Sequence, residues 1–435
     1  MNNKIRVLQW NVLADGLSRD GFVCSPTLTT TNSGTCTSDE FLTMTNIAKN
    51  HNVMNEVIDL FNTPENTEVY ERVLKWENRW PKMIEQIKQQ DPDILCFQEM
   101  DHYADALNDL KKLGYVSGQV QLSMSDNSDG LYPRSTIEYI RPYIPLWKYD
   151  YLNSENYEVH LKAQSYAFIP KLDSKAKKFS QNPDADNDGC AVFWKNNRFD
   201  LIGVDFVQFR KYGTFELDTD GAICVNLYDS VTSKMLSVIT AHLPSGQTRM
   251  REEERLDLVG KNGTLRLFAE RYARNNATIM SIDANSDPSE IYVSGIPEDV
   301  KAKFPNVWRV MHDTHDTHDT RDVQDAQGTD TDQRFKNIWD SYFDPDGCHI
   351  ADMLDGLSRP VTVNKLRGPL SNQPDKIGVH SFELIDHIYF DKMHMVGFAK
   401  APVQFLKDDD PVMRLIPNDD EPSDHYPVVV DLNYD

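Results

Sequence analysis

The sequence predicts a mixed α/β (α+β) fold in which segments from both ends of the chain come together, and three observations predict it. Apolar runs of strand length, such as Asp93-Ile-Leu-Cys-Phe97, alternate with stretches of helical periodicity. Six apolar runs end on polar groups: Trp10-Asn11, Gln98-Glu99, His242 in Thr-Ala-His-Leu, Asp283-Ala-Asn285, Asp386-His387 and Ser423-Asp424-His425. A charged group at the tip of a buried strand must face solvent, metal or substrate, because burying it unpaired is costly. The tips extend from residue 11 to residue 425. If they converge, a chain long enough for two or three average domains folds as one domain over 1–435, with insertions at about 21–69, 117–165 and 295–334.

In chain order, Ile5 to Trp10 alternates as a first strand. The Thr/Ser/Asn-rich first insertion holds a short helix near Asn46 to Phe61. Helical periodicity runs from Arg72 to Gln90, with Pro81 expected to break or start the helix. Asp91-Pro92 leads into strand 93–97, and a short helix from Ala104 closes at Gly114. Residues Cys190–Lys195, Leu201–Phe206, Ala222–Tyr228 and Met235–Ala241 read as an antiparallel meander. An amphipathic helix over Glu252–Arg274 is interrupted near Gly260 to Gly263. Thr278–Ile282, Leu384–Phe390 and Val428–Leu432 are the remaining strands.

Hydrophobic residues make up 40% of the chain and aromatics 10%, enough for a sizeable core and too many for wholesale disorder. The net charge of −23 repels polyphosphates at long range and argues against a broad nucleic-acid coat. A narrow site that neutralises one or two phosphates with a divalent cation is compatible with it. Basic residues cluster at Lys171, Lys175, Lys177 and Lys178, and at Arg249, Arg251 and Arg255. A solvated loop and a helix face explain these clusters as well as a functional patch does. The six cysteines lack metal-ligand spacing: Cys96, Cys190 and Cys224 read as buried apolar groups, and Cys24 and Cys36 would pair only under oxidising conditions. With a strand entered at Ile5 and no apolar run of about 20 residues, the expectation is a cytoplasmic or nuclear protein without signal peptide or membrane span.

The tips suggest distinct tasks. Glu99 is a natural oxygen ligand for Mg²⁺. Asn11 can hold either a water on a metal or a carboxylate. Asp283 can orient or deprotonate a water while Asn285 donates to charge developing on phosphoryl oxygen. An imidazole in a hydrolytic site needs a carboxylate to fix its tautomer, which pairs His425 with Asp386. His387 should point to the opposite face as a structural group, and His242 is either a phosphate ligand or a half-buried strand end. Asp184 to Gly189 opens like a calcium loop, but Lys195 stands where a bidentate Glu is required, so an EF-hand is rejected. The threefold His-Asp-Thr repeat from His312 to Thr320 reads as a solvated loop.

Taken in order, these motifs resemble the endonuclease/exonuclease/phosphatase superfamily. Leu8-Gln-Trp-Asn-Val-Leu13, the Trp76–Ile87 helix before Ile94-Leu-Cys-Phe-Gln-Glu99, Asp188-Gly-Cys-Ala-Val-Phe193 and Asp283-Ala-Asn285 look most like its nocturnin and carbon-catabolite-repressor deadenylase branch. The resemblance implies a four-layered αββα sandwich of two packed, mainly antiparallel sheets flanked by helices. It implies Mg²⁺ or Mn²⁺ at Glu99, supported by Asn11 and Asp424. Phosphate contact or leaving-group protonation falls to His242, and water activation to Asp283 with Asn285. The Asp386–His425 pair would orient the attacked phosphate or act as base. Asn187, Asp188 and Phe382 are the expected substrate contacts. The chain departs from the branch after His242, where Pro-Ser-Gly-Gln replaces Trp-Asp-Pro, and in the offset of Phe382 from Asp386.

The function expected is a Mg²⁺-dependent phosphodiesterase acting on RNA 3′ ends or related nucleotides, a deadenylase-like exoribonuclease. The alternative is a nucleotide phosphomonoesterase, for example a 2′-phosphatase on NADP(H). A catalytically silent interaction module is disfavoured because Glu99, Asp283, Asn285, Asp386 and His425 are all intact. Phosphoinositide or sphingolipid hydrolysis is disfavoured by the lack of membrane-facing stretches. Expected partners are an RNA or nucleotide substrate, with no membrane and no scaffold protein.

Overall fold

The computed structural model describes residues 3–117, 167–171, 187–287, 334–340 and 360–434, a few short stretches excepted. Nearly all of the second insertion, the third insertion up to residue 333 and the His-Asp-Thr repeat lie outside the described residues.

The first strand, β1 (Lys4–Asn11), is followed by a hairpin of β2 (Thr27–Thr29) and β3 (Thr35–Thr37), then by helices α1 (Ser38–His51), α2 (Met54–Phe61), α3 (Pro64–Leu74) and α4 (Trp76–Gln90). Next come β4 (Ile94–Gln98), α5 (Tyr103–Lys112), β5 (Tyr115–Val116), β6 (Phe168–Pro170), β7 (Gly189–Lys195), β8 (Phe199–Arg210), β9 (Leu217–Asp229) and β10 (Lys234–His242). Helices α6 (Arg249–Val259) and α7 (Thr264–Ala273) precede β11 (Ala277–Asp283) and β12 (Phe335–Asn337). The remaining strands are β13 (Val363–Leu366), β14 (His380–Glu383), β15 (Asp386–Asp391), β16 (Met395–Ala399) and β17 (Val428–Tyr434).

Two large sheets result. One has the order β16-β17-β1-β4-β7-β5 with β6 also on β7, and the other runs β12-β15-β11-β10-β9-β8. Pairing is antiparallel except at β1–β4 and β10–β11. Strand alternation puts one side chain in two between the sheets. Ile5, Val7, Ile94 and Cys96 of the first sheet pack there against Val225, Val238, Ile279 and Ile388 of the second. The outer face of the first sheet (Leu8, Trp10, Leu95, Phe97) packs on Trp80, Met83 and Ile87 of α4 and Leu110 of α5. The outer face of the second (Ile239, Met280, Tyr389) packs on Leu258 of α6 and Phe268 of α7. The layers are therefore helix, sheet, sheet, helix, the expected sandwich.

Four local differences from the sequence expectation have physical causes. The expected four-strand meander divides, because β7 pairs with β4 in one sheet while only β8, β9 and β10 form the meander in the other. Helix α4 runs through Pro81, and the break falls at Lys75 instead. The buried face of Trp76, Trp80, Met83 and Ile87 outweighs the single backbone hydrogen bond that proline removes. In the first insertion the threonines are caps. Thr37 forms a reciprocal capping box with Glu40, and Thr63 accepts from the Asn66 amide ahead of Pro64. The short expected helix is accordingly several helices, with a left-handed residue, Asn52, after α1. Their apolar faces join Leu366, Ile377 and Val412 in a cluster of their own.

Candidate active site

The inward alternation that builds the core continues into the site. In β1 the series Ile5, Val7, Gln9 reaches Asn11, in β10 Val238 and Thr240 lead to His242, and in β11 Ile279 and Ser281 lead to Asp283. In β15 the same inner face starts at Asp386 and continues through Ile388 and Phe390. Strand register then aligns them: His242 sits opposite Asp283, and Asp283 opposite Asp386. Three site residues thus lie in one row across three neighbouring strands.

The first sheet supplies the facing groups. His425 precedes β17, and its Nδ1 lies 2.8 Å from Asp386 Oδ2 while its Nε2 is 3.9 Å from Asp283 Oδ2. The Trp10 indole donates to the His425 carbonyl at 2.7 Å. Gln9 Nε2 crosses the sandwich to donate to Asp386 Oδ1 at 3.1 Å and to the Ile282 carbonyl at 2.7 Å. Asn11 Nδ2 donates to Asp283 Oδ2 at 2.9 Å, and the Asn11 side chain also hydrogen-bonds Glu99. Its Oδ1 accepts from the Leu13 amide at 3.0 Å. Glu99 follows the inward-facing Gln98, which donates to Thr240 across the sandwich at 2.8 Å. A left-handed backbone at Glu99 (φ 57°) departs from strand geometry at this point, and its Oε2 accepts from the Ala14 amide at 3.2 Å.

The second sheet positions its own side chains by turns. Asp283 Oδ1 accepts from the Asn285 amide at 3.0 Å, and Asn285, itself left-handed (φ 49°), donates its side-chain N–H to the Leu243 carbonyl at 2.9 Å. His242 Nε2 lies 3.5 Å from Asp283 Oδ2, and its Nδ1 4.0 Å from Glu99 Oε1. His387 faces the other way, as expected, with Nδ1 at 3.0 Å from Asn337 and Nε2 at 3.1 Å from the Ser286 carbonyl.

The two buried histidines titrate in opposite directions. Burial, together with the Lys171 charge, pushes His242 down to about 4, so it is neutral near pH 7. Burial acts the same way on His425, but Asp386, Asp424 and Asp283 surround it and push it up to about 9. Burial and the Asp424 charge push Glu99 up to about 7. Asp424 is held well below the usual carboxylate range, against burial, by Lys365 and His425. Lys365 Nζ lies 2.5 Å from Asp424 Oδ2.

A divalent cation fits this donor set. Glu99 and Asp424 are mutually repelling carboxylates, and Asp424 Oδ1 is buried without a hydrogen-bond partner among the described residues. Ligand atoms of Asp283, Asp386 and His425 also lie within 4.8 Å of one another. There, however, Nδ1 of the imidazole is committed to Asp386 and the ring is held as a cation, which suits a proton donor better than a ligand.

Of the expected substrate contacts, Asn187 donates to the Lys171 carbonyl at 2.8 Å and Asp188 pairs with Lys171 at 3.0 Å. Gly189 follows because a Cβ there would stand 2.1 Å from the Ile169 carbonyl oxygen. Phe382 packs edge-on against Phe405, with ring centroids 4.9 Å apart, in a small cluster with Val361 and Tyr426. Two residues of the basic clusters, for which the sequence left a solvated face and a functional patch equally open, are held by internal partners. Lys171 lies between Asp188 and Asp220, and its charge reaches Glu99 and His242. Arg255 is fully buried, paired with Glu252 and donating to the Pro244 and Gly246 carbonyls just past His242. Lys365 and Arg79 gave no sequence signal, since single basic residues in ordinary strands and helices do not announce burial.

Residues 78–425 match the Endonuclease/Exonuclease/phosphatase family. The chain is similar to Nocturnin of Drosophila melanogaster, 23% identical over 66% of this chain and 29% of that protein. It is also similar to Nocturnin of Mus musculus, 24% identical over 59% of this chain and 39% of that protein. The matches therefore span well under half the length of these relatives. Among solved structures, the human Nocturnin catalytic domain with bound sulfate anion aligns with 99% of this chain and 94% of its own, at TM-score 0.51 and 18% identity. ANGEL2, a 2′,3′-cyclic phosphatase, aligns with 99% and 95% at TM-score 0.50 and 15% identity; both likenesses show the shared fold. With four fifths of its length matched and its polar strand tips gathered at one end of the two sheets, the chain belongs to the Endonuclease/Exonuclease/phosphatase family, whose members hydrolyse phosphoester bonds.

Proposed function

We propose that the chain is a Mg²⁺-dependent phosphodiesterase that hydrolyses phosphoester bonds at RNA 3′ ends or in related nucleotides, with Mn²⁺ as an alternative cation. The observation that carries this reading is the row His242, Asp283, Asp386 with His425 closing on Asp386 at 2.8 Å. Glu99 and Asp424 would hold the cation, which when bound supplies Lewis-acid neutralisation of phosphoryl charge.

Held between Asp386 and Asp283, the His425 imidazole keeps both protons and donates from Nε2 to a phosphoryl oxygen. That leaves Asp283 as the base. Its Oδ1 and Oδ2 are fixed by the Asn285 amide and Asn11, so the carboxylate is aimed before substrate arrives. His242 is neutral and contributes one N–H, either to the phosphate or to the leaving oxygen. Displacement at phosphorus runs in line between the attacking and leaving oxygens.

A second reading, a nucleotide phosphomonoesterase, is favoured by the ammonium groups of Lys171 and Lys365 beside Glu99 and Asp424. A terminal phosphate dianion needs more positive charge than a diester. The test is an assay with Mg²⁺ on labelled poly(A), mixed-sequence RNA, single-stranded DNA and NADP⁺. Mononucleotide release from RNA supports the diesterase. Phosphate release from NADP⁺ alone selects the monoesterase, and no hydrolysis of any of the four sinks both.

A further inference from the structure

Arg79, in the first turn of α4, is fully buried, and among the described residues no carboxylate lies within ion-pair distance of it. Its guanidinium is spent on backbone carbonyls instead. Nε donates to Leu74 at 2.8 Å, Nη1 to Val12 at 2.7 Å and to Pro422 at 3.3 Å, and Nη2 to Leu13 at 2.8 Å. These carbonyls belong to three segments far apart in sequence. One is the end of α3. Another is the loop after β1, whose next amide, Ala14, holds Glu99. The last is the loop two residues before Asp424.

We propose that Arg79 is a positioning residue that sets the separation of Glu99 and Asp424, and through it the cation affinity of the site. The proposal rests on the reading of those two carboxylates as the cation-holding pair. The loops it joins need such a tie. Leu13 is left-handed (φ 56°), a conformation that a branched residue keeps only when its surroundings impose it. The same two segments are also linked by the Ser423 hydroxyl donating to the Asn11 carbonyl at 2.7 Å and by the Trp10 indole donating to the His425 carbonyl at 2.7 Å. Lysine cannot replace arginine here, because a single ammonium point cannot span carbonyls that the planar fork reaches together.

The experiment is calorimetric titration of the full chain with Mn²⁺ alone, alongside thermal unfolding and steady-state kinetics. Wild-type protein must bind Mn²⁺, and failure there overturns the functional reading rather than this inference. Arg79→Lys is expected to fold, to bind Mn²⁺ about tenfold or more weakly, and to lose turnover by about 10²-fold with a smaller change in KM. Wild-type Mn²⁺ affinity in a folded Arg79→Lys protein, whatever its melting temperature, overturns the inference. Should that variant not fold, Ser423→Ala tests the same loop separation, and an unchanged Mn²⁺ affinity in it overturns the inference equally.

Discussion

His425 Nδ1 and Asp386 Oδ2 meet at 2.8 Å across the mouth of the sandwich, one residue preceding the last strand of one sheet and the other opening a strand of its partner. The relationship makes the proposed catalytic pair an inter-sheet object. Any change that keeps both sheets but disturbs this bond should separate activity from folding.

Asp386→Asn is the direct test of that bond. The amide is isosteric, Gln9 can still donate to its oxygen, and Thr362 and Trp339 still hold the backbone of residue 386, so the fold should persist. The amide cannot fix His425 as a cation with Nε2–H outward. Turnover should drop by roughly 10²–10⁴-fold. Asp283→Ala and His425→Ala should each fall by a comparable factor. Near-wild-type turnover in Asp386→Asn, with an unchanged circular dichroism spectrum, would remove the dyad from the chemistry.

Glu99→Gln removes one of the two mutually repelling carboxylates while keeping a group that can accept from Ala14. If Glu99 and Asp424 hold the cation, the Mg²⁺ concentration for half-maximal activity should rise by about tenfold or more, and a chelator should abolish wild-type activity reversibly. An unchanged Mg²⁺ dependence in Glu99→Gln would move the cation elsewhere, with Asp283 and Asp386 as the next donors to test.

How much of this was legible in the sequence differs between groups for physical reasons. Asn11, His242, Asp283 and Asp386 were legible because the period of two that buries Val7, Val238, Ile279 and Ile388 continues through them. His387 was legible as structural by the same parity. The assignment of β7 to one sheet and β8 to the other was not, because an apolar strand such as Cys190–Phe193 carries no mark of its partner. The helices of the first insertion were hidden by their Thr and Asn content, which suggests loop until Thr37 and Thr63 are seen as caps. Arg79, Arg255, Lys171 and Lys365 were illegible as site-forming groups, since their burial depends on carbonyls and carboxylates that only the folded chain brings near.

His387 gives a stability signature in acid. Burial pushes it down to about 4 from an ordinary value near 6.5. Between those values the unfolded chain binds a proton that the folded chain does not, so stability rises with pH in this window and falls as pH drops from about 6.5 to about 4. The full effect is on the order of 3 kcal/mol, with no further loss from this group below about 4. His387→Gln should lack this component. Urea denaturation at pH 7, 5.5 and 4 should therefore show a shallower acid decline in the variant, and identical declines would assign the acid sensitivity to other groups.

Glu252 and Arg255 test whether the loop beyond His242 is fixed from beneath. The Arg255 guanidinium donates to Glu252 Oε2 and to the carbonyls of Pro244 and Gly246, and Ser286 donates to Glu252 Oε1 at 2.9 Å. One buried ion pair thus ties the loops that follow His242 and Asn285. Glu252→Ala leaves a buried guanidinium with carbonyls but no counter-charge, which should cost about 3–5 kcal/mol in chemical denaturation. Glu252→Gln keeps acceptor geometry and should cost less. Because the lost tie lies behind His242, the Ala variant should also lose turnover while its Mg²⁺ dependence stays close to wild type. A Glu252→Ala protein within about 0.5 kcal/mol of wild type would mean the pair contributes no more than an ordinary surface contact.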